Sequence, residues 1–242
     1  MNFPKIIVLS LPQENLRRAN IQSQLESRGL AFSFFDALTP EQLPEKIPED
    51  TRLTQGEYCC AKCHNLIYSV AKNHNYTVIL EDDAILQENF DATVLEIINI
   101  IENLNKKPDV IILGYSKIPP EDKRKIFRFN PLKIKKSTDL VKLGHPHREW
   151  KCGTVAYLVT KTGASKLSSL TKNIIATADD WNHFRNNDIE IWHSNPLLVL
   201  EGYRNFDSAI EKERMNFKEN NPLFNIIRYA RGFARSIKLA FS

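Results

Sequence analysis

The segment that most constrains this chain is Tyr76-Thr77-Val78-Ile79-Leu80-Glu81-Asp82-Asp83, an apolar run that ends in three consecutive carboxylates. A short continuous apolar run of this kind reads as a strand buried on both faces, which calls for helices on either side of a sheet. In an open sheet of that class the ligand crevice lies beyond the carboxyl ends of the strands. Acids at this place are therefore positioned to hold a hard divalent ion against a substrate diphosphate. A solvated turn whose last Asp caps the next helix would show the same residues.

The rest of the chain supplies the partners such a strand needs. Lys5 to Leu11 is a compact apolar strand, and Glu14 to Arg28 an amphipathic helix with Leu16, Ile21 and Leu25 turned inward and Gly29 as its stop. Ala31 to Phe35 is a second strand, and Asp36 to Leu53, with three prolines, an ordered loop. Thr54-Gln55-Gly56-Glu57 has the form of a capping box and opens a helix to about Asn73. After the acidic triplet, Phe90 to Leu104 is a helix and Asp109 to Leu113 another buried strand. Strand and helix alternation predicts an α/β fold with mostly parallel pairing. Residues 115–149 break the rhythm with four prolines and read as a basic flap with short strands. Thr154 to Thr160, Lys161 to Leu170, Ile189 to His193 and Leu197 to Leu200 then restore strand, helix and two short strands.

A length of 242 residues, with 42% hydrophobic and 26% charged residues, is that of an ordinary globular protein with a sizeable core. No segment reads as a secretion signal or reaches transmembrane length, so the expected location is the cytoplasm. The net charge of +4 resides in residues 220–242, where Arg228, Arg231, Arg235 and Lys238 face no acid. Nucleic acid is not the expected partner. The domain reading is therefore a unit over 1–219, with the flap inside it, and a tail over 220–242.

Several chemistries are excluded by absence. The first strand runs into Ser10-Leu11-Pro12-Gln13, with neither Gly-x-Gly-x-x-Gly nor Gly-Lys-Ser/Thr, so dinucleotide and P-loop binding are not expected. Nor does that strand carry the aspartate a phosphoaspartate enzyme needs, or lead into the Gly-rich, Arg-containing loop of a sugar nucleotidyltransferase. Cys60-Ala61-Lys62-Cys63-His64 matches the c-type haem attachment pattern. It falls inside the Thr54-capped helix, and such attachment belongs outside the cytoplasm, so the match reads as helix core.

Taken in order, these segments resemble glycosyltransferase family 25, the bacterial lipooligosaccharide and LPS glycosyltransferases related to collagen galactosyltransferases. The resemblance spans most of residues 4–202. Its carriers are Ile6-Ile7-Val8-Leu9-Ser10-Leu11 with Arg17-Arg18, Phe34-Phe35-Asp36-Ala37, and Leu53-Thr54-Gln55-Gly56-Glu57 with His64. Ile79-Leu80-Glu81-Asp82-Asp83-Ala84, Gly153-Thr154-Val155-Ala156-Tyr157 and Asp179-Asp180 complete the series.

The resemblance implies a GT-A-like fold with a Rossmann-type sheet and a metal-dependent transfer of a hexose, galactose from UDP-galactose, to a lipooligosaccharide or other surface-glycan acceptor. It implies Asp83 as a direct ligand of Mn²⁺ or Mg²⁺, Glu81 as a ligand through water or a donor-binding contact to the ribose, and His193 as a further ligand. Ser10, Leu11, Arg17, Arg18, Asp36, His64 and Asp82 would contact the donor. Inversion at the anomeric carbon needs a base, for which Asp180 is the first choice and Asp179 the second. Both acids sit at a helix start and would equally serve as caps. Trp181 would stack on a sugar, or simply be buried. Relatives commonly continue from the final strand into a Gln where this chain has Glu201. The alternative is a catalytically inactive binding or scaffold protein that keeps the fold.

Pro222 to Phe241 places Phe224, Ile227, Phe233, Ile237 and Phe241 largely on one helical arc and the four basic residues opposite. That is the pattern of an interfacial helix on an anionic membrane, and it predicts a peripheral position on the inner face of the cytoplasmic membrane. A helix packed on its own domain or on a second subunit shows the same pattern.

Overall fold

The structure, a computed structural model, describes residues 3–43, 46–49, 51–118, 125–202, 234, 235 and 237. Its centre is an eight-stranded mixed sheet. β1 (Lys5–Ser10) pairs in parallel with β2 (Phe32–Asp36) on one side and with β3 (Tyr76–Glu81) on the other. β9 (Ala156–Thr160) lies antiparallel between β3 and β5 (Val110–Ile112). β10 (Ile191–Asn195) follows in parallel with β5. The hairpin β7 (Leu132–Ser137) and β8 (Lys142–Pro146) closes that edge through β8 and β10.

The expected class, an α/β sheet between helices, is the one observed, but the mostly parallel pairing is not: four of the seven pairings in this sheet are antiparallel. β9 enters from the far end after the 115–149 segment and reverses two of them, and the β7–β8 hairpin adds the other two. That segment carries α4 (Ile126–Phe129) and the β7–β8 hairpin, with Lys133, Lys135 and Lys136 solvated along the sheet edge, where charge discourages pairing with another chain.

Both faces of the sheet are covered, which explains the unbroken apolar runs. Ile6, Val8, Val78, Leu80, Ile111 and Leu158 face one layer, which is built by α1 (Asn15–Glu26) and α3 (Phe90–Glu102). Ile7, Leu9, Ile79, Ile112, Tyr157 and Val159 face the other, built by α2 (Gln55–Ala71), α5 (Lys161–Leu170) and α6 (Trp181–Asn186). α3 alone buries Phe90, Val94, Ile97, Ile98 and Ile101 almost completely, and each such side chain contributes about 1.5–3 kcal/mol.

Helix ends follow their sequence signals. Thr54 Oγ1 accepts from the Glu57 amide (3.2 Å) while the Thr54 amide donates to Glu57 Oε2 (3.0 Å), the reciprocal capping box. Gly29, with φ of 66°, ends α1, the Leu30 amide donating to Leu25 O (3.0 Å) and the Gly29 amide to Glu26 O (2.9 Å). One expectation fails in α1: Leu16 is 80% exposed while Ile21 and Leu25 are buried. Five positions along a helix turn Leu16 about 140° away from Ile21, off the inward stripe.

A second, three-stranded sheet shapes the site. β4 (Ala84–Leu86) pairs with β11 (Val199–Glu201), which pairs with β6 (Gly114–Tyr115). Of the expected tail helix only residues 234, 235 and 237 are described, all helical; the rest of that expectation lies outside the described residues. No helix among the described residues is long and apolar enough to cross a membrane.

Candidate active site

Parallel pairing brings the carboxyl ends of β2, β1 and β3 to one rim, with Ser10 beside Asp36 and Leu9 beside Glu81. The first turn of α1 rises from this rim and supplies two arginines. Arg17 Nη2 lies 2.8 Å from Asp82 Oδ1 and 2.5 Å from Asp83 Oδ2, and the Ser10 hydroxyl donates to Asp82 Oδ2 at 2.6 Å. Arg18 donates through Nε to Ser10 Oγ and through Nη2 to Ser10 O, each at 3.1 Å, and pairs with Asp36. Its guanidinium lies 4.6 Å from the Phe34 ring centroid. Six sequence-predicted residues, Ser10, Arg17, Arg18, Asp36, Asp82 and Asp83, thus form one connected network. Leu11 is half-buried beside them.

The acidic tip is short of positive charge. Burial pushes the Glu81 carboxyl up to about 8, with the nearby Asp83, Glu201 and Asp82 charges adding to the rise and the Thr154 hydroxyl, which donates to Glu81 Oε1, opposing it. Asp83 is pushed up to about 6, again by burial first, against the pull of Arg17. Asp82 also moves upward through burial, opposed by Arg17 and Ser10. Asp83 Oδ1 is buried with no hydrogen-bond partner. One guanidinium does not offset three desolvated acids.

Oxygen donors of this kind suit a hard divalent ion. Among the described residues no group of three or more His, Cys, Asp or Glu side chains is gathered to ligate a metal. Asp83 and Glu81 are the carboxylates that could hold such an ion, the remaining positions going to phosphate and water. His193 stands apart from them: its Nδ1 meets the Tyr115 hydroxyl at 2.9 Å and its Nε2 meets Glu149 Oε2 at 3.0 Å, so both ring nitrogens are engaged.

Glu81 opens onto a cleft of about 420 Å³ lined also by Lys117, Lys151, Thr154, Asp179 and Glu201. Gly153 shapes its wall. Its φ is 82°, and a Cβ there would fall 1.8 Å from Ser116 Oγ. The two adjacent acids part company here. Asp179 faces this cleft, whereas Asp180 caps α6, accepting from the His183 amide at 3.1 Å, and faces the neighbouring cleft near Lys151 at 3.4 Å. Trp181 is fully buried, its Nε1 donating to Gly153 O at 3.0 Å, so it holds the wall and offers no face to a sugar.

His64 is also away from the rim. It is buried in α2, its Nδ1 2.7 Å from the Tyr157 hydroxyl, and burial lowers it to about 4, which keeps the ring neutral. The cysteines beside it are helix core: Cys59 and Cys63 are buried, Cys63 Sγ accepts from the Leu38 amide at 3.2 Å, and none of the four cysteines is in a disulfide. Glu201 is the acid that sequence reading noted only as a departure. β11 pairing places it opposite Ala84, and its charge raises Glu81.

Comparison with known proteins points the same way. The sequence profile of glycosyltransferase family 25 (LPS biosynthesis protein) matches residues 3–182. "Lipooligosaccharide biosynthesis protein lic2B" of Haemophilus influenzae is 30% identical over 87% of this chain and 83% of its own length. "Probable inactive glycosyltransferase 25 family member 3" of Rattus norvegicus is 25% identical over 82% of this chain and 38% of its own. The crystal structure of a glycosyltransferase involved in glycosylation of the major capsid of PBCV-1 aligns over 87% of this chain and 98% of its own, at 10% identity and a TM-score of 0.42. A profile match over most of the chain, together with a relative of that identity and coverage, shows that the chain belongs to glycosyltransferase family 25.

Proposed function

We propose that this transferase moves a hexose, galactose from UDP-galactose, with inversion onto a lipooligosaccharide or other surface-glycan acceptor, with Mn²⁺ or Mg²⁺ at the acidic tip. The observation that carries the reading is the buried, under-compensated carboxylate group at the carboxyl ends of β1 and β3, with Asp83 Oδ1 lacking a partner. Asp83 and Glu81 hold the ion. When bound, the ion supplies Lewis-acid stabilisation of charge on the departing diphosphate. Arg17 and Arg18 orient phosphate and ribose oxygens at the rim through fixed N–H donors.

Asp179 faces the Glu81 cleft and takes the acceptor hydroxyl's proton, while the new bond from that oxygen to the anomeric carbon forms and the bond to the diphosphate breaks. Asp180, already used as the α6 cap, positions the segment. Galactose comes from the family resemblance alone, and the lipooligosaccharide acceptor from that resemblance and the Haemophilus relative's name. The tail's other basic residues, Arg228, Arg231 and Lys238, would hold the enzyme at the inner membrane face, while Arg235 is turned to Phe129 of the domain.

The second reading is an inactive binding or scaffold protein. It is favoured by one observation: Arg17 already pairs with both Asp82 and Asp83. Incubation of the full chain with a panel of nucleotide sugars, each with and without Mn²⁺ or Mg²⁺, separates the two through donor hydrolysis and transfer. The transferase reading expects one sugar nucleotide to turn over only with the ion and turnover to vanish in Asp83→Ala. Absence of turnover with every donor supports the scaffold.

A further inference from the structure

Beside the cleft that holds Glu81 lies a second one of about 680 Å³. The two meet at Lys151, which lines both, and at the Asp179–Asp180 peptide, whose side chains divide between them. A ligand in the larger cleft therefore lies next to the proposed base.

The larger cleft has an aromatic platform held in place from behind. The half-buried Trp150 indole stacks on His193, with centroids 5.6 Å apart and planes 24° from parallel, and meets Tyr115 edge-on at 4.9 Å. The Glu149 side chain is 2% exposed, held by Arg185 at 2.7 Å and by His193 at 3.0 Å. Asn130 fixes the next turn of the loop, donating to Arg148 O at 2.8 Å and accepting from the Arg148 amide at 3.1 Å. Such an arrangement presents a ring whose orientation is set before any ligand arrives.

The charge that remains to face the cleft is positive. Arg148 is exposed, and among the described residues its guanidinium makes no ion pair. Arg235 reaches in with one donor committed to Phe129 O at 2.8 Å, and Lys151 adds a third cation. Against them stand Asp180, which caps α6 and pairs with Lys151 at 3.4 Å, and Glu149, whose charge is already met by Arg185, so Arg148 and Arg235 carry the remaining positive charge.

A pyranose ring has an apolar C–H face that an indole can cover, and arginine recognises phosphate or carboxylate through paired N–H donors. The geometry points to this cleft as the seat of an acceptor sugar that carries a phosphate or carboxylate, its ring on Trp150 and its anion toward Arg148 and Arg235. The term acceptor rests on the transferase reading; the anionic-sugar site itself does not.

The test titrates the full-length protein with glucose 6-phosphate, glucuronate, methyl glucoside and inorganic phosphate, followed by saturation-transfer NMR and tryptophan fluorescence. The two anionic sugars are expected to bind about tenfold or more tighter than methyl glucoside or inorganic phosphate, the advantage of a charge-assisted contact. Arg148→Gln, an exposed substitution, should remove that preference, and Trp150→Leu should weaken every sugar. Equal binding of charged and neutral sugars, inorganic phosphate binding as tightly as glucose 6-phosphate, indifference to both substitutions, or displacement of the sugar by UDP would each overturn the assignment. UDP-galactose with Mn²⁺ is titrated into the same samples. If it binds while the anionic sugars fail, only this site falls; if the sugars bind and UDP-galactose does not, the transferase reading falls and the anionic-sugar site stands.

Discussion

Replacing Arg17 by Met removes the guanidinium while keeping most of the aliphatic stem, and its effect can be worked from the site. The Arg17, Asp82 and Asp83 side chains are 15%, 7% and 8% exposed, and the two ion pairs are 2.8 and 2.5 Å long. Removing one partner of a buried pair costs about 3–5 kcal/mol, because the remaining charge stays desolvated. In a domain of this size each kcal/mol moves the melting midpoint by about 2–4 °C, so Arg17→Met should melt roughly 6–20 °C below the parent at pH 8. The loss should shrink on acidification. Asp83 stands at about 6 with Arg17 in place and at 3.8 in an unfolded chain. A carboxyl raised in the folded state exerts its penalty above its folded pKa and loses it as pH falls toward the unfolded value. Removing Arg17 raises that carboxyl further and widens the window. Millimolar Mn²⁺ should restore more of the midpoint in Arg17→Met than in the parent, since binding to the folded state alone stabilises it. Calorimetric melts from pH 5 to 9, with and without Mn²⁺, measure all three effects. A drop below about 2 °C, or one that does not change with pH, would refute the view that Arg17 is the tip's own counter-charge.

Four further variants test the same geometry. Glu81→Gln removes a carboxyl held at about 8 against 4.5 unfolded, so the variant should be more stable than the parent at pH 9, with the difference fading as pH falls through 8 toward 4.5; a constant difference in melts would contradict the burial argument. His64→Asn keeps a polar group near the Tyr157 hydroxyl but cannot titrate. The parent ring, lowered to about 4, leaves stability intact above 6.5 and should lose about 3 kcal/mol as pH drops from 6.5 to 4, a loss absent from the variant in urea titrations. Asp180→Ala should lower stability by about 1 kcal/mol through the lost cap and spare UDP binding. Asp179→Asn should leave melting and UDP binding unchanged while transfer falls by about 10²–10⁴-fold; the reverse pattern in transfer assays would return the base to Asp180.

What the sequence made legible was local. The Thr54 box, the Gly29 stop and the two-faced apolar runs of β1 and β3 each follow from side chains within a few positions of one another, and each is observed. The acidic tip was legible as a place where charge collects. Its counter-charge was not: Arg17 and Asp83 lie 66 positions apart, and only the parallel pairing of β1 with β3 brings α1 over the tip. β9 was recognisable as a strand, but its direction depends on how the 115–149 segment returns, which no local pattern encodes. Asp179 and Asp180 are neighbours whose side chains face different clefts, the second also serving as the α6 cap. His193 carried a metal-ligand residue type, yet Tyr115 and Glu149 claim both its nitrogens from strand and loop positions far along the chain. Glu201 entered the site through pairing with β4, a three-residue strand too short to show a period.

The central claim is that Asp83 and Glu81 hold a divalent ion against the donor diphosphate. Isothermal calorimetry of UDP binding to the parent and to Asp83→Asn, with and without Mn²⁺, addresses it directly. The account predicts that Mn²⁺ tightens UDP binding at least about tenfold in the parent, equivalent to about 1.4 kcal/mol, and changes nothing in the variant. Equal affinity for UDP with and without the ion, or an ion effect that survives in Asp83→Asn, would contradict it.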